Sequence, residues 1–328
     1  MGPREVILSG VVPGFVVGLM LVLSWWIAAV TGVRRPQREA RGGVIRVAVS
    51  GPDGTGPLWA GAVAFGAAIL VAMFAFDRPP TSFWPTSGDD RIWLGAAAVA
   101  LVGVILGVVS SLVKVPKLVN ALAFGTVTGA GAWALFEPLA AEYVGLGGAA
   151  IWGPVTGLVV AGQVYVAEVS APRFRGWRFP LVLLPIAGLI VPTHFWSGFA
   201  GAALMSNGLV AVVSAAALAG VLAPRINLGG GALGVFLSQH ALLIVLNRGY
   251  SYEPGMSLVQ FCVLLAAPLG IAVLLIPALW KWPAWRGVVI GGVLCAVLAV
   301  VGAAFEAPFA GGDAEDGAAD ENPYAEYQ

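Results

Sequence analysis

Ten predominantly apolar runs of about twenty residues divide this chain from end to end, and they leave it little choice of solvent. A helix of about 20 residues crosses the roughly 30 Å hydrocarbon core of a bilayer, since each residue rises about 1.5 Å. The runs are Val6–Val30, Leu58–Phe76, Ile92–Val113, Leu118–Phe136, Ala149–Val169, Phe179–Trp196, Ala200–Leu222, Leu228–Asn247, Ser257–Leu279 and Trp285–Phe305. The stretch from Phe179 to Leu222 is read as two crossings rather than one crossing plus a re-entrant piece. Composition agrees: 59% of residues are hydrophobic and 10% charged, against about 25% charged in soluble domains. The expected fold is an all-α polytopic membrane protein with about ten transmembrane helices.

Cations orient the expected bundle. Thirteen of the seventeen Lys and Arg residues fall in every second gap: Arg34, Arg35, Arg38, Arg41 and Arg46; Lys114 and Lys117; Arg173, Arg175 and Arg178; Arg225; Lys281 and Arg286. Cationic loops stay cytoplasmic, which puts both termini on the outer side of a cell (inner) membrane. The alternation also supports an even number of spans. Fourteen of the seventeen acids take the outer side, so a net charge of zero hides a polarised molecule. The twelve tryptophans fall at or near span ends, where indole rings form interfacial belts. The first run is longer than a signal-peptide core, and the cluster of five arginines follows rather than precedes it, so it reads as a retained span. Cys262 and Cys295 lie inside spans and read as small hydrophobes.

Two domains follow. Residues 1–306 form the bundle, and residues 307–328 an acidic tail without apolar periodicity, expected to be disordered. The arginines at 34, 35, 38, 41 and 46 are expected to meet anionic lipid headgroups, and Val44–Val49 to form a short strand.

Small residues at four-residue spacing recur as Gly10/Gly14/Gly18, Gly103/Gly107, Gly125/Gly129, Gly153/Gly157, Gly230/Gly234 and Gly287/Gly291. Lipid gives helices no hydrophobic drive to associate, so close backbone approach is a main route to packing. Pro13–Gly14 in run 1 and Pro185, Gly188 and Pro192 in run 6 are expected to interrupt their helices. Ten spans divide as five plus five, and an odd unit repeated inverts its topology. The chain is thus compatible with a 5+5 inverted repeat whose first helices, 1 and 6, are both broken, as in transporters. The two halves share no residue-level similarity.

No Asp, Glu, Lys or Arg lies near a span centre, which argues against a proton pump. The polar residues at depth are neutral or weakly basic, and Gln163, Asn207, Gln239 and His240 are the candidate substrate contacts. Asn207 shares its face with Ala203, Ala211 and Ser214, and Gln163 with Thr156; Asn120 and Thr128 make a similar stripe. Gly230, Gly234 and Ser238 form one stripe of run 8, with His240 nearly opposite, so run 8 is expected to be central. Two histidines exclude a bis-imidazole pair for two haems, and no HExxH, Walker loop or CxxC occurs. No metal or cofactor is expected. Pairing Ser197 with His240 as an intramembrane hydrolase lacks an orienting third group. Two functional readings stay open: a small-metabolite permease binding near the middle of spans 5–8, and a non-catalytic scaffold or subunit of a membrane assembly.

Overall fold

The structure is a computed structural model that describes residues 7–33, 58–76, 89–139, 145–197, 199–250 and 256–304, together with Arg4, Trp84, Pro85 and Ser87. The arginine loop at 34–57 and the tail at 307–328 lie outside the described residues, and with them the expected strand and headgroup contacts.

Among the described residues, ten helices correspond one for one with the ten apolar runs. They are α1 (Val12–Val33, preceded by a π turn at Ile7–Val11), α2 (Leu58–Phe76), α3 (Ile92–Leu112), α4 (Lys117–Phe136) and α5 (Gly145–Ser170), then α6 (Arg178–Trp196), α7 (Ala200–Leu222), α8 (Ala232–Tyr250), α9 (Leu258–Ala266, continuing as a 3-10 helix over Ala267–Leu275) and α10 (Ala284–Ala304). Nine are long and apolar enough to cross a membrane, and α2 is a shorter apolar helix. The Phe179–Leu222 stretch is two helices. The chain is a multi-pass integral membrane protein.

Nine helices form a closed ring, in the order α1, α2, α3, α4, α5, α9, α10, α6, α7 and back to α1. Helix α8 fills the ring and touches α2, α3, α4, α5, α7 and α9. Every residue of α8 from Ala232 to Asn247 is buried. The centrality expected from its small-residue stripe and opposed histidine is what the packing shows. Outer helices turn large apolar side chains such as Phe15, Leu101, Leu158 and Leu222 outward, as a lipid-facing surface requires.

Small residues let these backbones meet. The two GxxxG stripes of α4 and α5 interlock: a Cβ at Gly125 would lie 2.6 Å from the Gly157 carbonyl oxygen, and one at Gly129 3.0 Å from that of Gly153. Gly14 sits on Ala211, whereas Gly10 has nothing within 4 Å and takes no part in packing. Gly234 of α8 is the seat of the Phe124 ring, whose Cε2 would lie 2.1 Å from an added Cβ.

Proline behaves differently from expectation in run 6. Helix α6 is continuous through Pro185 and Pro192, because a kinked helix stays helical where its neighbours hold it. Departures from α geometry fall instead at the π turn before Pro13 and in α9, at Ala267–Pro268, whereas α4, the counterpart of α9 in a five-plus-five division, is one helix. Tryptophan also divides into two groups. Trp26, Trp133, Trp196, Trp282 and Trp285 are exposed at helix ends, while Trp93 is buried and Trp152 stands edge-on against Phe261 at 5.3 Å.

At one end of the bundle buried Arg91 ties the start of α3 to the end of α4. It donates to the Pro85 carbonyl (2.9 Å), the Ala134 carbonyl (3.0 Å) and Glu137 (2.6 Å), beneath the Trp84 ring. The opposite end gathers Lys114, Lys117 and Arg175 around one chamber.

Candidate functional site

Helix α9 changes register where α packing meets proline. The N–H of Ala267 bonds the Leu264 carbonyl, three residues back, and the chain continues in 3-10 geometry. In that pattern the next acceptor, the Leu265 carbonyl, would take the N–H of residue 268, and Pro268 has none. That carbonyl therefore has no 3-10 donor of its own. Gln163 of α5 reaches across and donates Nε2 to it at 2.6 Å. His240 of α8 faces the neighbouring Leu264 carbonyl without meeting it in hydrogen-bond geometry. Its ring stacks on Phe236, with 6.4 Å between centroids and 11° between planes.

The residues singled out from the sequence therefore separate. Gln163 and His240 converge on the α9 junction. Gln239 points elsewhere, donating Nε2 to the Ala96 carbonyl of α3 at 3.1 Å. Asn207 is partly exposed and lines an apolar groove between α1 and α7, with Gly10, Gly14 and Gly18. Around the junction and along α8, several buried polar atoms have no hydrogen-bond partner: both His240 ring nitrogens, Gln163 Oε1, Ser238 Oγ and Thr156 Oγ1. Leaving such an atom unpaired away from water costs about 1–3 kcal/mol. By contrast Thr128 and Ser206 satisfy themselves on carbonyls of their own helices, at 2.7 Å each.

A second polar group was less legible. Asn247 of α8 donates Nδ2 to His194 Nδ1 at 2.5 Å and to Ser197 Oγ at 2.6 Å, and the Ser197 hydroxyl also contacts the His194 carbonyl oxygen at 3.1 Å. An Nδ1 that accepts leaves the proton of the neutral ring on Nε2. The hydroxyl thus bonds Asn247 and a carbonyl rather than an imidazole nitrogen, which is not the nucleophile–base contact of a hydrolase. The available signal was spacing, since Asn247 follows His240 by seven residues and shares its face.

At the Lys/Arg-rich end a chamber of about 980 Å³ lies between the α3–α4 link, the end of α5 and the α7–α8 turn. Asn227 Oδ1 accepts from the Gly229 N–H at 3.0 Å, folding the turn. Gly230 and Gly231 then take φ of 75° and 134°, a conformation that side chains rarely adopt. This brings the Gly230 N–H onto the carboxylate of buried Glu168 at 2.8 Å. A carboxylate at the start of α8 satisfies an orphan donor and complements the helix dipole. Replacing Glu168 by Leu is expected to lower stability by about 1–3 kcal/mol. Glu168→Gln keeps an acceptor oxygen and should recover most of that loss in thermal unfolding of the purified protein.

Among the described residues no group of three or more His, Cys, Asp or Glu side chains could hold a metal ion. Comparison with protein-family models, with curated proteins and with solved structures finds no match.

Proposed function

We propose that the protein is a permease for a small uncharged metabolite, oriented with its Lys/Arg-rich end in the cytosol, and that substrate meets the bundle at the α9 junction. The observation that carries this reading is the set of unpaired polar atoms beside a broken helix: His240 Nδ1 and Nε2 and Gln163 Oε1. Transporters use interrupted helices at mid-depth because the freed backbone and nearby polar side chains can bind what lipid cannot. His240 and Gln163 are buried, as an occluded conformation would require, with the chamber below α8 as the cytosolic approach. Gln239, held by Ala96, positions α8; Asn207 lies apart from this route.

The test is thermal unfolding of wild type and His240→Leu against a panel of neutral metabolites. Because the imidazole makes no hydrogen bond, His240→Leu is expected to melt at or slightly above the wild-type temperature. A metabolite that stabilises the wild type by binding the folded state should lose its effect on the variant. The second reading, a scaffold, is favoured by the way Gln163 and Gln239 each fasten a neighbouring helix. A panel in which nothing stabilises the wild type would leave the scaffold reading in possession.

A further inference from the structure

The chamber at the Lys/Arg-rich end is lined by three cations, Lys114, Lys117 and Arg175, against one carboxylate, Glu168, among the described residues. That carboxylate is already engaged by the start of α8, so its repulsion of an anion is partly offset. Arg175 is steadied by its own Nε, which donates to the Pro172 carbonyl at 3.0 Å. Two further lining groups carry a buried polar atom without a partner. Asn120, only 3% exposed, leaves Oδ1 unpaired, and Ser110 leaves Oγ unpaired. A plain anion could accept from the cations and from the Ser110 hydroxyl, but it would leave the acceptor Asn120 Oδ1 orphaned. A ligand that carries hydroxyl groups beside its charge would satisfy all of them. Apolar Leu112, Val113 and Leu118 are exposed at the same level, where acyl chains would begin.

We propose that this chamber binds a phosphate ester bearing a neighbouring hydroxyl, with the phosphate against Lys114, Lys117 and Arg175 and the hydroxyl on Asn120 and Ser110. The ligand comes either from the membrane, as the headgroup of a glycerol-headed anionic phospholipid, or from the aqueous side, as a soluble polyol phosphate. The site stands whether or not any solute crosses the bundle. Interfacial cations also attract anionic lipid without a built site, so the control must lie at the same end but outside the chamber. Lys281 and Arg286 meet that need, since neither lines it.

The experiment follows thermal unfolding of the full chain in non-ionic detergent with three probes: dihexanoyl phosphatidylglycerol, dihexanoyl phosphatidylcholine and glycerol phosphate. The glycerol-headed lipid at a hundredfold excess over its Kd should raise the midpoint by roughly 5 °C, and the choline lipid much less. An equal rise with glycerol phosphate identifies the aqueous source; a rise with the lipid alone identifies the membrane source. Lys114→Gln/Lys117→Gln should lose most of the response, while Lys281→Gln/Arg286→Gln keeps it. Equal responses to both lipids, equal losses in both double variants, or no shift with any probe would overturn the proposal. Native mass spectrometry of wild type from an equimolar lipid mixture needs no variant: preferential retention of the glycerol-headed lipid supports the site, and equal retention overturns it.

Discussion

Gly220→Ala should remove most of the folded protein. A Cβ at this position in α7 would lie 2.3 Å from both the carbonyl carbon of Gly176 and the amide nitrogen of Trp177. Both atoms are backbone, so no side chain can swing aside. The α5–α6 link cannot retreat either, because Gly176 holds φ of 67° and donates its N–H to the Ile226 carbonyl at 2.8 Å. Overpacking of a tight site typically costs about 1–3 kcal/mol even where side chains can yield, and a backbone clash belongs at or above the top of that range. Fluorescence-detected size exclusion should show a collapsed monodisperse peak. Gly188→Ala is the matched control: its Cβ meets nothing within 4 Å, and its yield and melting temperature should equal those of wild type. Similar behaviour of the two variants would mean that the α5–α6 link does not press on α7.

Gln163→Leu should be more damaging than Gln239→Leu, and Pro268→Ala should blunt it. The Leu265 carbonyl depends on Gln163 because residue 268 has no N–H to give. Losing Gln163 therefore strands a buried acceptor, at about 1–3 kcal/mol. Gln239→Leu makes a useful contrast. Its acceptor, Ala96 O, lies inside the continuous helix α3, where the ladder already supplies a donor. Its loss should cost nearer the average of about 0.6 kcal/mol for interhelical hydrogen bonds in membranes. In a Pro268→Ala background the restored N–H can serve the Leu265 carbonyl itself. A double-mutant cycle on thermal unfolding should then give a coupling of about 1–2 kcal/mol between positions 163 and 268. Strict additivity would sink this account of the junction.

The helices were legible because each is set by one strong, local requirement: enough apolar length to cross lipid, bounded by charge. That is why Lys117 and Arg178 open helices near where the apolar runs begin. The centre of the ring was legible too, since a helix with a Gly230/Gly234/Ser238 stripe on one side and His240 nearly opposite has no face to offer lipid. What each polar residue touches was not. Gln163 and Gln239 look alike in sequence and differ only in whether the carbonyl opposite already has a donor. Proline misled for a related reason. Pro185 and Pro192 lie in a helix that neighbours keep straight enough to continue, whereas Pro268 coincides with a change to 3-10 geometry that no local pattern announces. Nothing local announces the role of Glu168, because its partner Gly230 lies 62 positions away in sequence.

The enclosure of α8 also has a bearing on how the nascent chain matures. Five of the six helices that wall it, α2, α3, α4, α5 and α7, are synthesised before it, and α9 follows. When α8 leaves the ribosome its polar flank can be received by a cradle already in place, but one side of that cradle is still missing. Arrival of α9 closes the wall and gives Gln163 its acceptor in the same step. A chain terminated before Leu258 would leave the α9-facing side of α8 uncovered in the bilayer, the kind of exposed, unpaired surface that membrane quality control removes.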